Sequence, residues 1–329
     1  MDTAYITLLE NSYGLKALSF FRQRGNFIVQ TEKGTKELKK NTSDPKRILF
    51  ENDARNHLAA SGFPAETFIP ALEGLPYSVL EDTNYVLTDY FPSSSADLSQ
   101  ESALLRCARL LGQFHSAAKG LFSEFEVPNT GNLIVFYEKR IREMKKIRNR
   151  LSQSVSPSKV DILIKEKYGY YLDRAEKALD ILKNSDYPAL WEKSAAEKRF
   201  VHGAFKRDSI RISENKKSIL ITNFSKCAVD VQLTDLSEYI RRYMKNTDPE
   251  FSVIEKILTE YGKTCPLSDP DIKVLSGLLT YPYKFMKLLN EHYNKRRVYV
   301  SDAVCERFMK CVNRISREDR LLEKIWGLA

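Results

Sequence analysis

The chain is poor in the residues that most simple functional assignments need. Its four histidines are dispersed, and its five cysteines (Cys107, Cys227, Cys265, Cys305 and Cys311) are odd in number and never in a C-x-x-C arrangement. Neither a zinc site nor a disulfide framework follows from that pattern. No run approaches the roughly 18 consecutive apolar residues of a membrane span, and the opening MDTAYITLLENSYG lacks a signal peptide's basic start and apolar stretch. The expectation is synthesis and folding in the cytosol with no membrane span. There is also no internal repeat, no long low-complexity segment, no nucleic-acid-binding motif and no G-x-G-x-x-G loop.

What is present describes an ordinary folded protein. With 329 residues the chain can build two lobes or domains, each with its own core. Hydrophobic residues make up 43%, with 17 Phe and 17 Tyr, which excludes wholesale disorder. The net charge of +9 favours anionic partners, and its densest run is EKRIREMKKIRNR at residues 138–150. Ile141, Met144, Ile147 and Leu151 recur there at helical spacing, so the run reads as an amphipathic helix with a solvated basic face.

The order of elements narrows the fold. Residues 15–40 alternate like an antiparallel meander: LKALSFFRQ, a turn at Arg24, Gly25 and Asn26, FIVQT, a turn at Lys33 and Gly34, then TKELKK. A helix follows in SDPKRILFENDARNHLAASGF, with Asp44 as N-cap, Pro45 at its first position and Gly62 just past its end. Ile48, Leu49, Leu58 and Ala59 form its expected apolar side. YSVLE around Val79 and YVLTDYF from Tyr85 read as strands ending at Pro92. Beyond Pro92 the pattern turns helical. SQESALLRCARLLGQFHSAAKG puts Leu104, Ala108, Leu111 and His115 on one face, and long helices cover about residues 134–151 and 159–182, separated by the polar linker SQSVSPS. A strand-loop-strand follows at residues 200–225. At least four helices, near Leu236, Ile254, Val274 and Phe285, with another near Phe308, finish the chain. This predicts an α+β, bilobal kinase-like fold: a small antiparallel-sheet N-lobe over residues 1–88, a hinge at 89–95 and a large helical C-lobe over 96–329.

Phosphoryl transfer needs few protein groups. A carboxylate orients the attacking hydroxyl and accepts its proton, an amide and a second carboxylate hold magnesium, and a small-lobe lysine contacts the phosphates. FVHGAFKRDSIRISENKKSILITNF, residues 200–224, resembles the catalytic loop of the aminoglycoside-phosphotransferase branch of kinases, H-G-D-x-x-x-x-N followed by a strand ending in aspartate. On that pattern His202 and Gly203 match. Ala204 stands at the catalytic aspartate, Ser209 at the metal-binding asparagine and Asn223 at the metal-binding aspartate. Alanine accepts no proton, and loss of a general base costs about 10² to 10⁴ in rate. Asn223 offers a cation an amide oxygen but no charge to offset magnesium dehydration. Asp208 and Asp230 are the acidic neighbours available as substitutes in an altered geometry.

In the small lobe the matching lysine is Lys39, with Glu51 on the following helix as its candidate partner. Lys36 or Lys40 takes the inward position if the strand shifts, and Asp53 is a second acidic choice. His202 reads as a brace for the loop. Asp235 in LTDLSEYI either anchors the loop or caps its own helix, and His115 reads as a packed core residue. No intact catalytic set and no metal site is predicted. No cofactor is expected, ATP and magnesium being the ligands if the site is retained.

A more specific resemblance covers nearly the whole chain. YGLK near the start, LLGQFHSAAKG at 110–120, HGAFKRDSIRI, TDLSEYI and, most specifically, PLSDPDIKVLSGLLTYPYKFMKLLNEHY at 266–293 together resemble the CotS-type spore coat proteins of endospore-forming bacteria. That resemblance implies an aminoglycoside-phosphotransferase-like fold, production in the mother cell and deposition in the spore coat with other coat proteins. Members often carry intact H-G-D and I-D motifs, from which this chain departs at all three positions. The implied function is that of a pseudokinase-like structural or assembly protein. The alternatives are a residual ATP-dependent phosphotransferase acting on a small molecule or coat protein, and a nucleotide-sensing or anion-binding module. The basic helix around Arg142 and the tyrosines of KYGYYL are the surfaces of interest, although Tyr168, Tyr170 and Tyr171 read by default as half-buried packing residues.

Overall fold

The computed structural model describes residues 2–23, 25–125, 131–153, 157–215, 217–245, 248–294 and 302–329. Arg24 of the first expected turn and residues 154–156 of the expected linker lie outside them. The chain forms two compact units: Met1–Asn129 with Ala196–Asp230 and Lys263–Cys265, and Thr130–Ala195 with Val231–Gly262 and Pro266–Ala329.

In the first unit a helix absent from the sequence expectation, α1 (Asp2–Tyr13), precedes the meander of β1 (Ala17–Gln23), β2 (Asn26–Thr31) and β3 (Gly34–Asn41). Then come α2 (Pro45–Ala60), β4 (Ser78–Leu80) and β5 (Thr83–Asp89). The strands form one antiparallel sheet in the order β1-β2-β3-β5-β4. Asp44 caps α2 by accepting the Lys46 N–H at 2.9 Å, and Pro45 sits where a helix has no use for its missing donor.

Strand alternation decides which lysine faces which side. Leu38 pairs with Leu87, and both join Phe27, Val29 and Tyr85 beneath Leu8, Leu9 and Tyr13 of α1. Val86 turns to the other face, where it packs with Ile48 of α2 and Phe68. Lys39 is the register partner of Val86 and shares that second face. Lys36 falls on the opposite side, paired with Asp89 at 2.5 Å. The buried side of α2 runs through Ile48, Glu51, Ala54, Arg55 and Leu58. Leu49 is half-buried and Ala59 exposed, so two charged residues occupy the middle of a face expected to be apolar.

The same unit contains β6 (Ser93–Ser95), α3 (Glu101–Ala117), β7 (Phe200–Val201), a 3₁₀ turn at Arg207–Ser209, β8 (Ile210–Ser213), β9 (Ile219–Ile221) and β10 (Ala228–Val229). β8 pairs with β6 and β9, and β7 with β10, all antiparallel. Residues 64–66 lie beside β9: the Ile221 N–H donates to the Pro64 carbonyl and the Glu66 N–H to the Ile221 carbonyl, each at 2.8 Å. That pairing fixes the backbone of Glu66 next to the strand-loop-strand.

The second unit is helical: α4 (Leu133–Ser152), α5 (Lys159–Lys183), α6 (Tyr187–Ala196), α7 (Leu233–Met244), α8 (Phe251–Gly262), α9 (Asp269–Thr280), α10 (Tyr283–Asn294), α11 (Asp302–Val312) and α12 (Ile315–Trp326). Of these, α6 and α12 are additions to the sequence expectation. Ile141, Met144, Ile147 and Leu151 are all buried, as their spacing requires. Tyr168 and Tyr171 are buried and Tyr171 stacks on Phe285 with centroids 3.7 Å apart, while half-buried Tyr170 donates to Asp319 at 2.6 Å. No described helix is long and apolar enough to cross a membrane.

Helices α5 and α9 approach tightly at Gly277, where an added Cβ would lie 2.9 Å from the Ile181 side chain and 3.0 Å from Leu182. Gly277→Leu is therefore expected to destabilise the protein by about 1 to 3 kcal/mol through overpacking. A melting temperature equal to that of the parent chain would contradict this close contact.

Candidate functional site

A cavity of about 750 Å³ opens within the first unit. Glu37 and Lys39 reach it from β3, Glu51 and Arg55 from α2, Glu66 from the segment beside β9, and Asn223 from the residues after β9. Its volume is that of an ordinary small-molecule site.

Its inner wall is a chain of charges. Arg55, 2% exposed, donates through Nε at 3.1 Å and Nη2 at 2.6 Å to Glu51 Oε1. Its Nη1 donates to Glu66 Oε2 at 3.0 Å and to the Glu66 carbonyl at 2.7 Å. Phe68 and Phe224 cover the guanidinium, with ring centroids 4.2 and 4.9 Å from its carbon. The other Glu66 oxygen accepts from Lys39 Nζ, which also lies 3.3 Å from Glu37 Oε2. Burial alone would raise the Glu66 carboxyl, but Lys39 and Arg55 outweigh it and hold the group below its ordinary range. Burial would likewise lower the Arg55 guanidinium, and Glu51 and Glu66 keep it raised instead.

This arrangement places the expected pair differently. Lys39 and Glu51 line the same cavity, yet the carboxylates on Lys39 are Glu66 and Glu37, and Glu51 is engaged by Arg55. Glu66 has no helical position to reveal it in the sequence, whereas Glu51 and Arg55 stand four residues apart on one face. Asp53, the second acidic choice, accepts from Ser123 Oγ at 2.6 Å.

The loop after β7 is braced by the residues that match the catalytic motif. His202 is fully buried. The Ala204 N–H donates to its Nδ1 at 3.2 Å, so the ring proton sits on Nε2 and is donated to the Thr222 carbonyl at 3.0 Å. Gly203 has φ +68°, and a Cβ there would collide with the Lys226 carbonyl oxygen, so only glycine fits. The buried Ser209 hydroxyl accepts the Lys206 N–H at 2.9 Å and faces the carbonyls of Lys206 at 2.8 Å and Ala204 at 3.1 Å. From α2, Arg47 donates Nε to the Ser225 carbonyl at 3.0 Å and Nη2 to the Cys227 carbonyl. Burial pushes the Cys227 thiol up to about 12, which removes it as a nucleophile at neutral pH.

The other candidate residues divide clearly. Asn223 is exposed in a left-handed conformation, φ +64°, which asparagine tolerates, and its Oδ1 accepts from Ser225 Oγ at 3.0 Å. Asp208 lines the cavity but is exposed, 3.3 Å from Lys206 Nζ. Asp230 is buried and, among the described residues, is not part of the cavity wall. His115 is fully buried in α3. Asp235 is buried in the first turn of α7, whose N-cap is Gln232.

Chemically the cavity offers no base at Ala204, an enclosed hydroxyl at Ser209 and a neutral amide at Asn223. A magnesium-bound triphosphate does not fit this donor set. Neither position that the resemblance aligns with a metal ligand carries a carboxylate, and Lys39 is already shared by two carboxylates with which a phosphate would have to compete.

A five-stranded antiparallel sheet with a helix inserted after its third strand, then a braced strand-loop-strand and many helices, is a kinase-like fold of the aminoglycoside-phosphotransferase type. Solved structures bear this out: the aminoglycoside phosphotransferase from Alicyclobacillus acidocaldarius superposes with a TM-score of 0.82 at 12% identity, over 94% of this chain and 92% of that one. Spectinomycin phosphotransferase, solved with ADP and spectinomycin, gives 0.61 at 14% identity over 99% and 98%. Residues 6–325 match the family described as spore coat putative kinase YutH, and the chain belongs to that family. Spore coat protein S of Bacillus subtilis (strain 168) is 22% identical over 284 residues, 83% of this chain and 78% of that relative.

Removing Arg55 leaves buried Glu51 without its cation and Glu66 with Lys39 alone, so Arg55→Met is expected to cost about 3 to 5 kcal/mol in chemical denaturation. A loss below about 1 kcal/mol, the scale of a surface pair, would contradict the network. The pH dependence has a definite sign. With its folded value depressed, Glu66 contributes fully above its unfolded value of about 4.3, and the contribution is lost as pH falls through the lower folded value. Stability measured against pH below about 4.3 should therefore fall less steeply in Glu66→Gln than in the parent, and equal slopes would exclude this role.

Proposed function

We propose that this family member is a catalytically degenerate, kinase-like protein with a structural or assembly role in the spore coat. In this reading it is made in the mother-cell cytosol and acts with other coat proteins. The observation that carries the proposal is Ala204 at the position of the catalytic base, in a loop whose other polar groups brace the backbone. The family description and the coat protein named among its relatives support the location. A coat-assembly role asks for a rigid fold and accessible surfaces, and both survive the loss of the carboxylates.

One observation favours the alternative of a residual phosphotransferase acting on a small molecule or coat protein: Asp208 lines the cavity. It lies on an exposed turn and pairs with Lys206. Positioned catalysis loses about 10²-fold for a displacement near 1 Å, which weighs against a base on that turn.

Melting the purified chain with ATP, ADP and GTP, each with magnesium, separates the two readings. A ligand at about 100 times its dissociation constant adds roughly 2.7 kcal/mol of stability. The expected result is no magnesium-dependent rise and no phosphate transfer. Turnover that disappears in Asp208→Ala would overturn the proposal. Combining Ala204→Asp, Ser209→Asn and Asn223→Asp tests the cause: turnover gained only in that variant assigns the inactivity to those three positions.

A further inference from the structure

The helical unit contains a second cavity, of about 200 Å³, walled by α5, α7, α9, α10, α11 and α12. Its charge is one-sided, six cationic side chains against two carboxylates. Both carboxylates are already engaged: Glu318 with Arg174 at 3.0 Å, and Glu238 with Arg241 at 2.7 Å. Lys245, Lys284 and Arg314 line the cavity without an ion pair among the described residues. Lys245 and Lys284 are exposed and Arg314 is half-buried, so these charges are open to an anion arriving from solvent.

The wall also carries enclosed donors. Tyr281 is 1% exposed, stacked on Tyr137 with centroids 3.6 Å apart, and its hydroxyl meets no partner among the described residues. Arg241 Nε is likewise enclosed without an acceptor, although its two terminal nitrogens donate to Glu238 and to the Leu278 carbonyl. An unsatisfied buried donor counts against stability, and an oxyanion in the cavity is an acceptor toward which these two side chains can turn.

We infer that this cavity is a binding site for a phosphate group, either free inorganic phosphate or a phosphate monoester. The volume is below that of an ordinary drug-sized site and suits a group of a few heavy atoms. A dianion matches the surplus of unpaired cations better than a single carboxylate does, and charge-assisted bonds from arginine and lysine are the strong ones. The inference draws only on the helical unit and does not depend on whether the first cavity takes a nucleotide.

Calorimetric titration of the full chain with inorganic phosphate at low ionic strength tests it. One saturable site is expected, weakened at least about tenfold in Lys245→Met and in Lys284→Met, a loss of about 1.4 kcal/mol in binding. Tyr281→Phe removes only the hydroxyl; it is expected to weaken binding while leaving the melting temperature without phosphate unchanged or higher. Lys39→Met, in the first cavity, is the control and keeps full affinity. Absence of saturable heat, equal affinity in the lysine variants, or a loss confined to Lys39→Met would each overturn the inference. A phosphoserine peptide that binds where its unphosphorylated form does not identifies a protein-borne group, and binding of inorganic phosphate alone identifies the free ion; either supports the site.

Discussion

Arg55 cannot be left alone. Taking a guanidinium out of water costs several kcal/mol even after relaxation, and only well-directed partners offset it. Here the partners come from three places in the chain: Glu51 one helical turn earlier, the side chain and carbonyl of Glu66, and the rings of Phe68 and Phe224. Because residues 64–66 are laid along β9, satisfying Arg55 also fixes α2 against the strand-loop-strand. Arg47, bonded to the Ser225 and Cys227 carbonyls, repeats that attachment two turns earlier on the same helix. The geometry around the cavity is therefore set by charge satisfaction as much as by apolar packing.

The same network determines what the cavity can do. Lys39 is held on the face of β3 that lines the cavity, where Glu66 and Glu37 offset its charge. The loop retains His202 and Gly203 because each has a mechanical role, the first tying Ala204 to Thr222 and the second letting the backbone pass the Lys226 carbonyl. Neither role needs a catalytic carboxylate. The braces of this loop are an imidazole, a glycine and the Ser209 hydroxyl, so its shape does not depend on a carboxylate at Ala204 or Asn223.

Local periodicity makes much of the fold legible. The meander, the Asp44 cap, the buried stripe of α4 and the family-specific block at residues 266–293 rest on spacing within one segment. α1 is hidden because half-buried Ala4 and Ile6 flank Tyr5 and blur the stripe of Tyr5, Leu8, Leu9 and Tyr13, and α6 is short with Pro188 near its start. α12 does carry a readable signal in Leu321, Leu322 and Ile325. The site is harder to read. Lys39 can be narrowed only once the pairing with Val86 fixes its face, and Glu66 is placed by a backbone contact with a strand about 155 residues later, a relation that no local pattern encodes. The one local clue, Glu51 and Arg55 four apart in the middle of an otherwise apolar face, is what an ion pair buried under a sheet looks like in sequence.

The two cavities differ in charge. The first cavity is balanced, with four acidic and four basic side chains in its wall, so its charges satisfy one another. The cavity of the helical unit is not balanced, and its enclosed Tyr281 hydroxyl and Arg241 Nε have no acceptor to turn to among the described residues. In a folded protein, unsatisfied donors count against stability unless a ligand is present for part of the time. Any anion that binds the folded chain alone then returns that stability by mass action, and the chain becomes most stable where the anion is abundant. In the assembly role proposed above such coupling is an advantage, because a ligand that fills the inferred site would also stabilise the fold.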